Sequence, residues 1–352
     1  MAHDILKIMR MAGRLLARSM IQVNVMVTYE CCCRCRICDY WRPPASSRPA
    51  MTLEIGRVLA EKLRSIGPLA VCLVGGEPLM HPNLLDLAAP LAKDHFLDMV
   101  TNGRFMTPEL AKELFRIGFS EIGVSIDYSA PAEHDAQRGL PGLFDRAVSA
   151  LEYLWAARIK PEQRVRLISV VMEDSLDHIE PLSRLCRKLG VKHNLTLCVC
   201  GRGSGRLPAD LELTVRRLKE IQKLCPELLI LPGYLEGFSG RGRSLCRSGR
   251  NLMAVDSEGR LLRCLDRTEA PVGSLLEEDL EVLLSRLRVL PQTEPCDECW
   301  TSCRGIVEPL LYGPGRLRNW RYHLRSLRPE PLAGAAGRSF RSGEKRPPGG
   351  ES

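Results

Sequence analysis

Strand-like and helix-like segments alternate through the first half of the chain. Six short apolar runs lie at residues 21–28, 70–74, 97–101, 121–126, 165–171 and 194–199. Helical patterns lie between them at residues 52–66, 83–94, 108–118, 143–157 and 176–189. Strands separated by crossover helices pair in parallel with right-handed connections. The alternation therefore predicts an α/β fold built on a parallel sheet.

Cysteine, glycine and polar residues follow the ends of five of these strands. They are Cys31, Cys35 and Cys38, then residues 75–78, 101–103, 125–127 and 200–205. The carboxyl ends of parallel strands meet at one edge of the sheet, where α/β folds concentrate their chemistry. We therefore expect one functional site at this edge.

Five cysteines lie within residues 31–38, and three of them form C-x3-C-x2-C: Cys31, Cys35 and Cys38. Three thiolates on one loop can hold a [4Fe–4S] cluster and leave its fourth iron free for another ligand. A zinc site would favour four ligands from paired C-x2-C motifs. Cys32 and Cys33 are left over, and we expect them to pack as small apolar residues, although Cys32 and Cys35 also have a metal-like spacing.

The motifs together resemble those of the radical S-adenosylmethionine (SAM) enzymes. The resemblance covers about residues 21–201 and rests on C-x3-C-x2-C, "GGEP" at 75–78, "TNG" at 101–103 and "VSID" at 124–127, in that order. It implies a partial (β/α)6 TIM-like barrel over residues 21–230. It also implies that Cys31, Cys35 and Cys38 hold a [4Fe–4S] cluster to which SAM binds.

The same resemblance implies which residues contact the cofactor and the substrate. The expected cofactor-binding residues are Gly75, Gly76, Glu77, Pro78, Asn102, Ser125, Asp127 and Ile37, the last at a position where the family usually has an aromatic residue along the adenine. The candidates for the substrate pocket are Asp127, Tyr128 and Arg166, with Arg104, His134 and Arg138 as further polar groups. No general acid or base is singled out among them.

A second cysteine group lies in residues 231–312: Cys246, Cys264, Cys296, Cys299 and Cys303. The sequence "NLMAVDSEGRLLRC" predicts a hairpin that turns at Gly259 and carries Cys264 back towards Cys246. The group resembles the SPASM and shorter twitch domains of radical SAM enzymes, which implies one auxiliary [4Fe–4S] cluster. The expected ligands are Cys246, Cys264, Cys296 and Cys299, with Cys303 as the rival for the last place. The alternative is a zinc site that stabilises this small segment.

Both ends of the chain are basic. Residues 1–20 predict an amphipathic helix that either packs on the following domain or lies on a membrane surface. Residues 313–352 carry nine Lys or Arg against three Glu, which is most of the net charge of +8, and we expect disorder after about residue 329. No run of about 18 apolar residues occurs, and no secretory signal opens the chain. We therefore expect a cytoplasmic protein, in which cysteine clusters more often bind metal than form disulfides.

The resemblance implies a radical SAM oxidoreductase or maturase. Such an enzyme cleaves SAM reductively to a 5′-deoxyadenosyl radical, which abstracts hydrogen from a peptide or small-molecule substrate, and the auxiliary cluster assists oxidation or substrate binding. The implied partners are the substrate and an external electron donor such as flavodoxin or ferredoxin. The alternatives are a zinc-stabilised nucleic-acid-binding protein that uses the basic tail, and a radical SAM enzyme that modifies RNA. The "GGEP" and strand-end motifs argue against the nucleic-acid-binding protein, because a binding module does not need them.

Overall fold

A ten-stranded sheet runs through the molecule in a computed structural model that describes residues 2–198, 203–240, 246–266, 268–290, 299–312 and 315–332. Its strand order is β10-β9-β8-β1-β2-β3-β4-β5-β6-β7. The strands are β1 (Gln22–Thr28), β2 (Ala70–Gly75), β3 (Phe96–Thr101), β4 (Phe119–Ser125), β5 (Arg164–Val171), β6 (Lys192–Leu197), β7 (Leu228–Leu229), β8 (Leu252–Val255), β9 (Arg260–Leu262) and β10 (Gly273–Ser274). From β1 to β7 every neighbouring pair is parallel. The six predicted strands and their parallel pairing are confirmed.

Twelve α-helices lie within the described residues. They are α1 (Ala2–Leu16), α2 (Leu53–Ser65), α3 (Leu84–Asp94), α4 (Pro108–Ile117), α5 (Pro131–Arg138), α6 (Leu143–Ala157), α7 (Leu176–Leu189), α8 (Leu211–Leu224), α9 (Pro232–Phe238), α10 (Leu280–Val289), α11 (Ser302–Leu311) and α12 (Arg316–Ser326). The side chain of Thr107 accepts a hydrogen bond from the backbone of Leu110 at the start of α4, and Gly190 ends α7 in the left-handed region. None of the helices in these residues is both long enough and apolar enough to cross a membrane.

The two faces of the barrel strands differ in chemistry. Side chains alternate across a strand, and the outward set, such as Val23 and Val25 of β1, packs with the leucines of the covering helices. The inward set includes Asn24, Cys72, Asp98 and Glu121, which are successive partners across β1 to β4. The apolar core therefore lies between sheet and helices, and the interior of the barrel is polar.

The second cysteine segment extends the same sheet. Strand β8 pairs in parallel with β1, and β8 and β9 form the predicted antiparallel hairpin, which turns at Gly259 with φ of +77°. Helices α9 and α11 pack with Trp300 in a second apolar cluster beside β6. The boundaries proposed between residues 21–230 and 231–312 stay a prediction.

Glu330, at the expected start of the disordered tail, belongs to the folded structure. Glu330 is 8% exposed and pairs with two buried guanidinium groups, Arg166 at 2.7 Å and Arg158 at 3.4 Å. Two buried cations require a carboxylate, and Glu330 supplies it. The remainder of the predicted tail, residues 333–352, lies outside the described residues.

Candidate functional site

The cysteine loop follows β1 at the carboxyl edge of the sheet and is held from two sides. Backbone N–H groups of Arg34 and Arg36 donate to the carbonyls of Arg138 (2.8 Å) and Gln137 (3.0 Å) at the end of α5. On the other side, the N–H of Ser204 donates to the carbonyl of Arg36 at 2.6 Å. The loop that carries Cys31, Cys35 and Cys38 is therefore fixed along its backbone.

Cys32 and Cys33 have a polar partner that the sequence reasoning missed. Cys33 is 1% exposed, which agrees with packing under the loop. The side-chain N–H group of Asn102, however, donates to the sulfurs of both Cys32 (3.4 Å) and Cys33 (3.3 Å). The "TNG" motif could have indicated this contact, because it places the Asn102 amide at the carboxyl end of β3.

Arg138 places a positive charge under the loop. Its guanidinium pairs with Asp127 at 2.6 Å and lies 3.9 Å from the sulfur of Cys35. Burial acts to lower the pKa of Arg138, but Asp127 and the neighbouring thiolates outweigh it and raise that pKa. In turn, a hydrogen bond from Cys33 and the charge of Arg138 lower the pKa of Cys35. This environment favours the thiolate form, which is the form that binds metal.

The "GGEP" segment crosses directly over the start of the cysteine loop. The N–H of Gly76 donates to the carbonyl of Thr28 at 2.7 Å, and the N–H of Glu77 donates to that of Glu30 at 2.8 Å. A Cβ on Gly75 would lie 2.1 Å from the Thr28 oxygen, and one on Gly76 would lie 2.1 Å from the Glu30 oxygen. Only glycine allows this approach of two backbones.

Glu77 links the loops that follow β2 and β3. Its carboxylate accepts from the hydroxyl of Thr101 (2.5 Å), the N–H of Asn102 (2.7 Å) and the N–H of Leu79 (3.1 Å), while buried Pro78 begins a short 3-10 turn. Burial raises the pKa of Glu77 to about 7, although these three hydrogen bonds favour the charged form. Glu77 is therefore a bridge between backbone segments, with no solvent-facing oxygen.

Three other predicted residues lie at the same edge. Ile37 packs with Tyr128, Met172 and Cys198. The hydroxyl of Tyr128 donates to Asp174 at 2.6 Å, and burial together with this bond raises the pKa of Tyr128. Ser125, the last residue of β4, is partly exposed at the end of the strand.

Other candidates lie away from this edge or are held by protein groups. Arg166 is near the start of β5, at the opposite end of the strand, where it pairs with Glu330 and with Glu121 at 3.4 Å. Arg104 is exposed. His134 is buried and accepts from the backbone N–H of Asp127 at 3.2 Å, and burial lowers the pKa of this imidazole to about 4. Asp127 itself also accepts from the N–H of Val170 at 2.9 Å.

In the second cysteine group, hydrogen bonds join the segments that carry Cys246 and Cys264. The N–H of Ser248 donates to the sulfur of Cys246 at 3.4 Å, and its hydroxyl donates to the carbonyl of Arg263, next to Cys264. The hairpin prediction that Cys264 returns towards Cys246 therefore agrees with these contacts.

A second link reaches Cys299. Arg304 donates to the carbonyl of Cys299 at 2.8 Å and pairs with Glu308 at 2.8 Å, while Glu308 accepts from the N–H of Arg247, next to Cys246, at 3.3 Å. The segments of Cys246, Cys264 and Cys299 thus form one hydrogen-bonded assembly. The fourth expected ligand, Cys296, lies outside the described residues.

Cys303 has different neighbours. Its sulfur accepts from the side-chain amides of Asn24 (3.6 Å) and Gln22 (3.9 Å) on β1. Burial raises the pKa of both Cys246 and Cys303 to about 11. Cys303 therefore extends towards the barrel strands.

The expected ligands in both groups are cysteines, which bind zinc as well as iron–sulfur clusters. Among the described residues, no three Cys, His, Asp or Glu side chains converge closely enough to hold one metal ion. Ligands of a single zinc ion must all lie about 2.3 Å from one point, whereas a [4Fe–4S] cube binds each cysteine at a different iron.

The chain is similar to a family of known enzymes. The family model of the Radical SAM superfamily matches residues 25–204, just over half of the chain. The chain belongs to the radical SAM superfamily. Members of this family are enzymes that use a [4Fe–4S] cluster and SAM, so the predicted membership of this superfamily and the predicted enzyme class are confirmed. The auxiliary cluster domain stays a prediction.

The curated relatives include heme synthases and a maturase. The AdoMet-dependent heme synthase of Methanosarcina barkeri is 31% identical over 199 residues, which are 54% of this chain and 55% of that protein. Mycofactocin maturase MftC of Mycobacterium tuberculosis is 26% identical over 305 residues, which are 79% of this chain and 76% of that protein. The chain spans about half the length of the first curated relatives it matches.

Solved structures share the fold. SuiB of Streptococcus suis bound to S-adenosylmethionine superposes with a TM-score of 0.64 at 15% identity, covering 83% of this chain and 75% of that one. Native anSMEcpe with bound AdoMet gives a TM-score of 0.61 at 16% identity, covering 87% and 98%. The predicted α/β fold with a TIM-like barrel is confirmed.

Proposed function

We propose that this enzyme cleaves S-adenosylmethionine reductively and directs the resulting 5′-deoxyadenosyl radical to abstract hydrogen from a peptide or small-molecule substrate. The observation that carries the proposal is the crossing of three loops at one sheet edge. The cysteine loop, the Gly76–Glu77 backbone and the Asn102 amide are joined there by direct hydrogen bonds. Cys31, Cys35 and Cys38 would hold the [4Fe–4S] cluster, which when bound supplies the electron for cleavage.

The chain's own residues then position the cofactor. Gly75 and Gly76 let the second strand's loop lie against the start of the cysteine loop, next to which the methionine end of SAM would bind, while Asn102 holds the neighbouring loop. Ile37 and Tyr128 offer an apolar wall for the adenine in place of the family's usual aromatic residue. Asp127 acts through Arg138, whose charge faces Cys35. We therefore assign Asp127 to positioning, and Ser125 to cofactor contact.

The second cysteine group is proposed to hold one auxiliary [4Fe–4S] cluster through Cys246, Cys264, Cys296 and Cys299. The hydrogen bonds of Ser248 and Arg304, which join the segments of three of these residues, support this set. Cys303, whose sulfur is bonded to Asn24, is then a thiol at the barrel interior and not a ligand.

The substrate class stays open between peptides and small molecules. The name of the mycofactocin maturase and the structure of SuiB bound to precursor peptide SuiA support a peptide, whereas the heme synthases support a small molecule. A low-potential donor such as flavodoxin or ferredoxin would supply the electron in the cytoplasm.

Anaerobic reconstitution with iron and sulfide, followed by reductant and SAM, tests the enzyme. The parent is expected to form 5′-deoxyadenosine and to bind about eight irons. Cys35→Ala is expected to lose 5′-deoxyadenosine formation, while Cys225→Ala, a buried cysteine after α8, retains it. Zinc uptake without cofactor cleavage would contradict the proposal and favour the nucleic-acid-binding alternative.

The auxiliary site needs its own pair of variants. Cys264→Ala is expected to lower iron to about four per chain, and Cys303→Ala to leave it near the parent value. An equal loss of iron in the two variants would indicate that Cys303 is also a ligand. Unchanged iron content in the two variants would contradict the presence of an auxiliary cluster.

A further inference from the structure

Helix α1 packs on the barrel through its basic side. The ammonium of Lys7 donates to the carbonyls of Ala92 (3.2 Å) and His95 (2.6 Å), at the end of α3. Arg14 donates to the carbonyl of Met20 at 2.7 Å and to that of Ile66, at the end of α2. The cations thus bond to the unpaired carbonyls at two helix C-termini.

This packing turns the apolar side of α1 outwards. Ile5, Ile8, Met9 and Leu16 are 57%, 58%, 66% and 85% exposed. At about 100° per residue, the four side chains lie within an arc of about 100° along the helix. They form one continuous apolar stripe, which we call the α1 stripe. The helix is amphipathic as predicted, but most of its predicted apolar side faces solvent.

The α1 stripe lies on the face opposite the cysteine loop. Helices α2 and α3 run antiparallel to the strands, so their C-terminal ends lie beside the amino ends of the strands. Other exposed aliphatic residues belong to this face, including Ile159 (55%) before β5 and Leu324 (58%) in α12. The N–H of Glu330, just after α12, donates to the carbonyl of Pro161 and fixes that neighbourhood. Exposed aliphatic side chains therefore occur on this face beyond α1 as well.

The helix ends on the two faces differ in charge. The last helical turns on the α1 face carry basic residues, including Lys62, Arg64, Lys93, Arg116, Lys188 and Lys223, with Asp94 and Glu227 lying among them. The first turns, on the cysteine-loop face, carry acidic residues, including Glu54, Asp86, Glu109, Asp177 and Glu212. The α1 face therefore combines exposed aliphatic side chains with a ring of cations.

We propose that the α1 face docks on an anionic lipid bilayer, with the α1 stripe lying in the boundary between headgroups and acyl chains. A stripe of large aliphatic residues beside cations is the surface that binds such an interface, by apolar burial together with attraction to anionic lipid. Docked in this way, the cysteine loop and the mouth of the barrel face away from the bilayer.

Flotation of the full-length protein with lipid vesicles tests the proposal. Vesicles of phosphatidylcholine alone are compared with vesicles that contain about one third phosphatidylglycerol. The parent is expected to float with the anionic vesicles, and the double variant Ile8→Asp/Met9→Asp to bind at least tenfold more weakly. Leu213→Asp, at an exposed apolar residue in the first turn of α8 on the opposite face, is the matched control and retains parental binding.

The charge contribution and the fold are checked separately. Arg10→Glu, at an exposed cation on the side of α1 that faces Arg64 and Asp94, is expected to weaken binding to the anionic vesicles about fivefold. Circular dichroism should be unchanged in all variants. Equal flotation of the double variant and the parent, or no flotation of the parent, would overturn the proposal. So would a dimer of the parent that the double variant dissociates, because a second copy would then cover the stripe.

Discussion

The backbone N–H of Asn102 donates to the buried carboxylate of Glu77 at 2.7 Å, and the side chain of the same asparagine donates to Cys32 and Cys33. One residue after β3 therefore joins the second strand's loop to the cysteine loop after β1. The Glu77 carboxylate accepts from Thr101 at the end of β3, and the Asn102 side-chain amide donates to the cysteine loop after β1. The order of the cysteine loop thus depends on residues about 45 and 70 positions away.

Replacing Glu77 tests this link. Glu77→Ala removes the acceptor for Thr101, Leu79 and Asn102, and leaving buried donors unpaired costs about 1–3 kcal/mol each. We expect the free energy of unfolding to fall by about 3 kcal/mol and iron uptake to fall with it. Glu109→Ala, an exposed residue in the first turn of α4, is the control and should change stability by less than about 0.5 kcal/mol. Equal denaturation midpoints for the two variants would contradict the bridging role.

Two glycine-to-alanine substitutions should change the free energy of unfolding in opposite directions. Gly76→Ala would place a methyl group 2.1 Å from the Glu30 carbonyl oxygen, so the two backbones must separate, and we expect lower stability and less bound iron. Gly13→Ala lies inside α1, where a Cβ meets nothing within 4 Å, and should stabilise by about 0.5–1 kcal/mol. Urea denaturation of both variants checks the signs, and a stable Gly76→Ala protein with full iron would refute the steric argument.

Replacing Glu330 should destabilise the folded protein far more than replacing an exposed glutamate. Glu330→Ala leaves the buried guanidinium groups of Arg158 and Arg166 without this partner, which costs about 3–5 kcal/mol. Glu236→Ala removes the pair with Arg318, whose side chain is 54% exposed, and should cost less than about 1 kcal/mol. Thermal unfolding of both variants measures the difference. Similar melting temperatures for the two variants would contradict the stabilising role of the Glu330 ion pairs.

His193 makes stability depend on pH. It is fully buried between Ser169 and Ser183, and burial lowers its pKa from about 6.5 to about 3. The unfolded state therefore binds a proton that the folded state excludes, so this histidine's contribution is present above pH 6.5 and is lost as pH falls towards 3. We expect a loss of up to about 1.4 kcal/mol per pH unit in that window. His193→Gln should flatten the slope measured by urea denaturation, and an unchanged slope would show that the imidazole does not cause it.

The sequence by itself determined the strand and helix order, the parallel pairing and the family. Apolar runs of strand length between helical patterns leave few topologies, and the spacing of Cys31, Cys35 and Cys38 needs no long-range contact to be recognised. The hairpin at Gly259 was predictable for the same reason, because its turn residues are local. Strand ends were placed within about two residues of those observed, a scatter typical of boundary assignment.

Only the tertiary structure decided which polar groups meet. Asp127 follows one predicted strand and Arg166 lies in another, yet each is held by a buried partner, Arg138 and Glu330 respectively, that no local pattern connects to it. Tertiary contacts also decided which side of α1 faces the barrel, because Lys7 and Arg14 bond to helix ends that come together only in the folded chain. Local periodicity shows that a helix has two sides, but which side is buried depends on the partners that the rest of the fold brings to it.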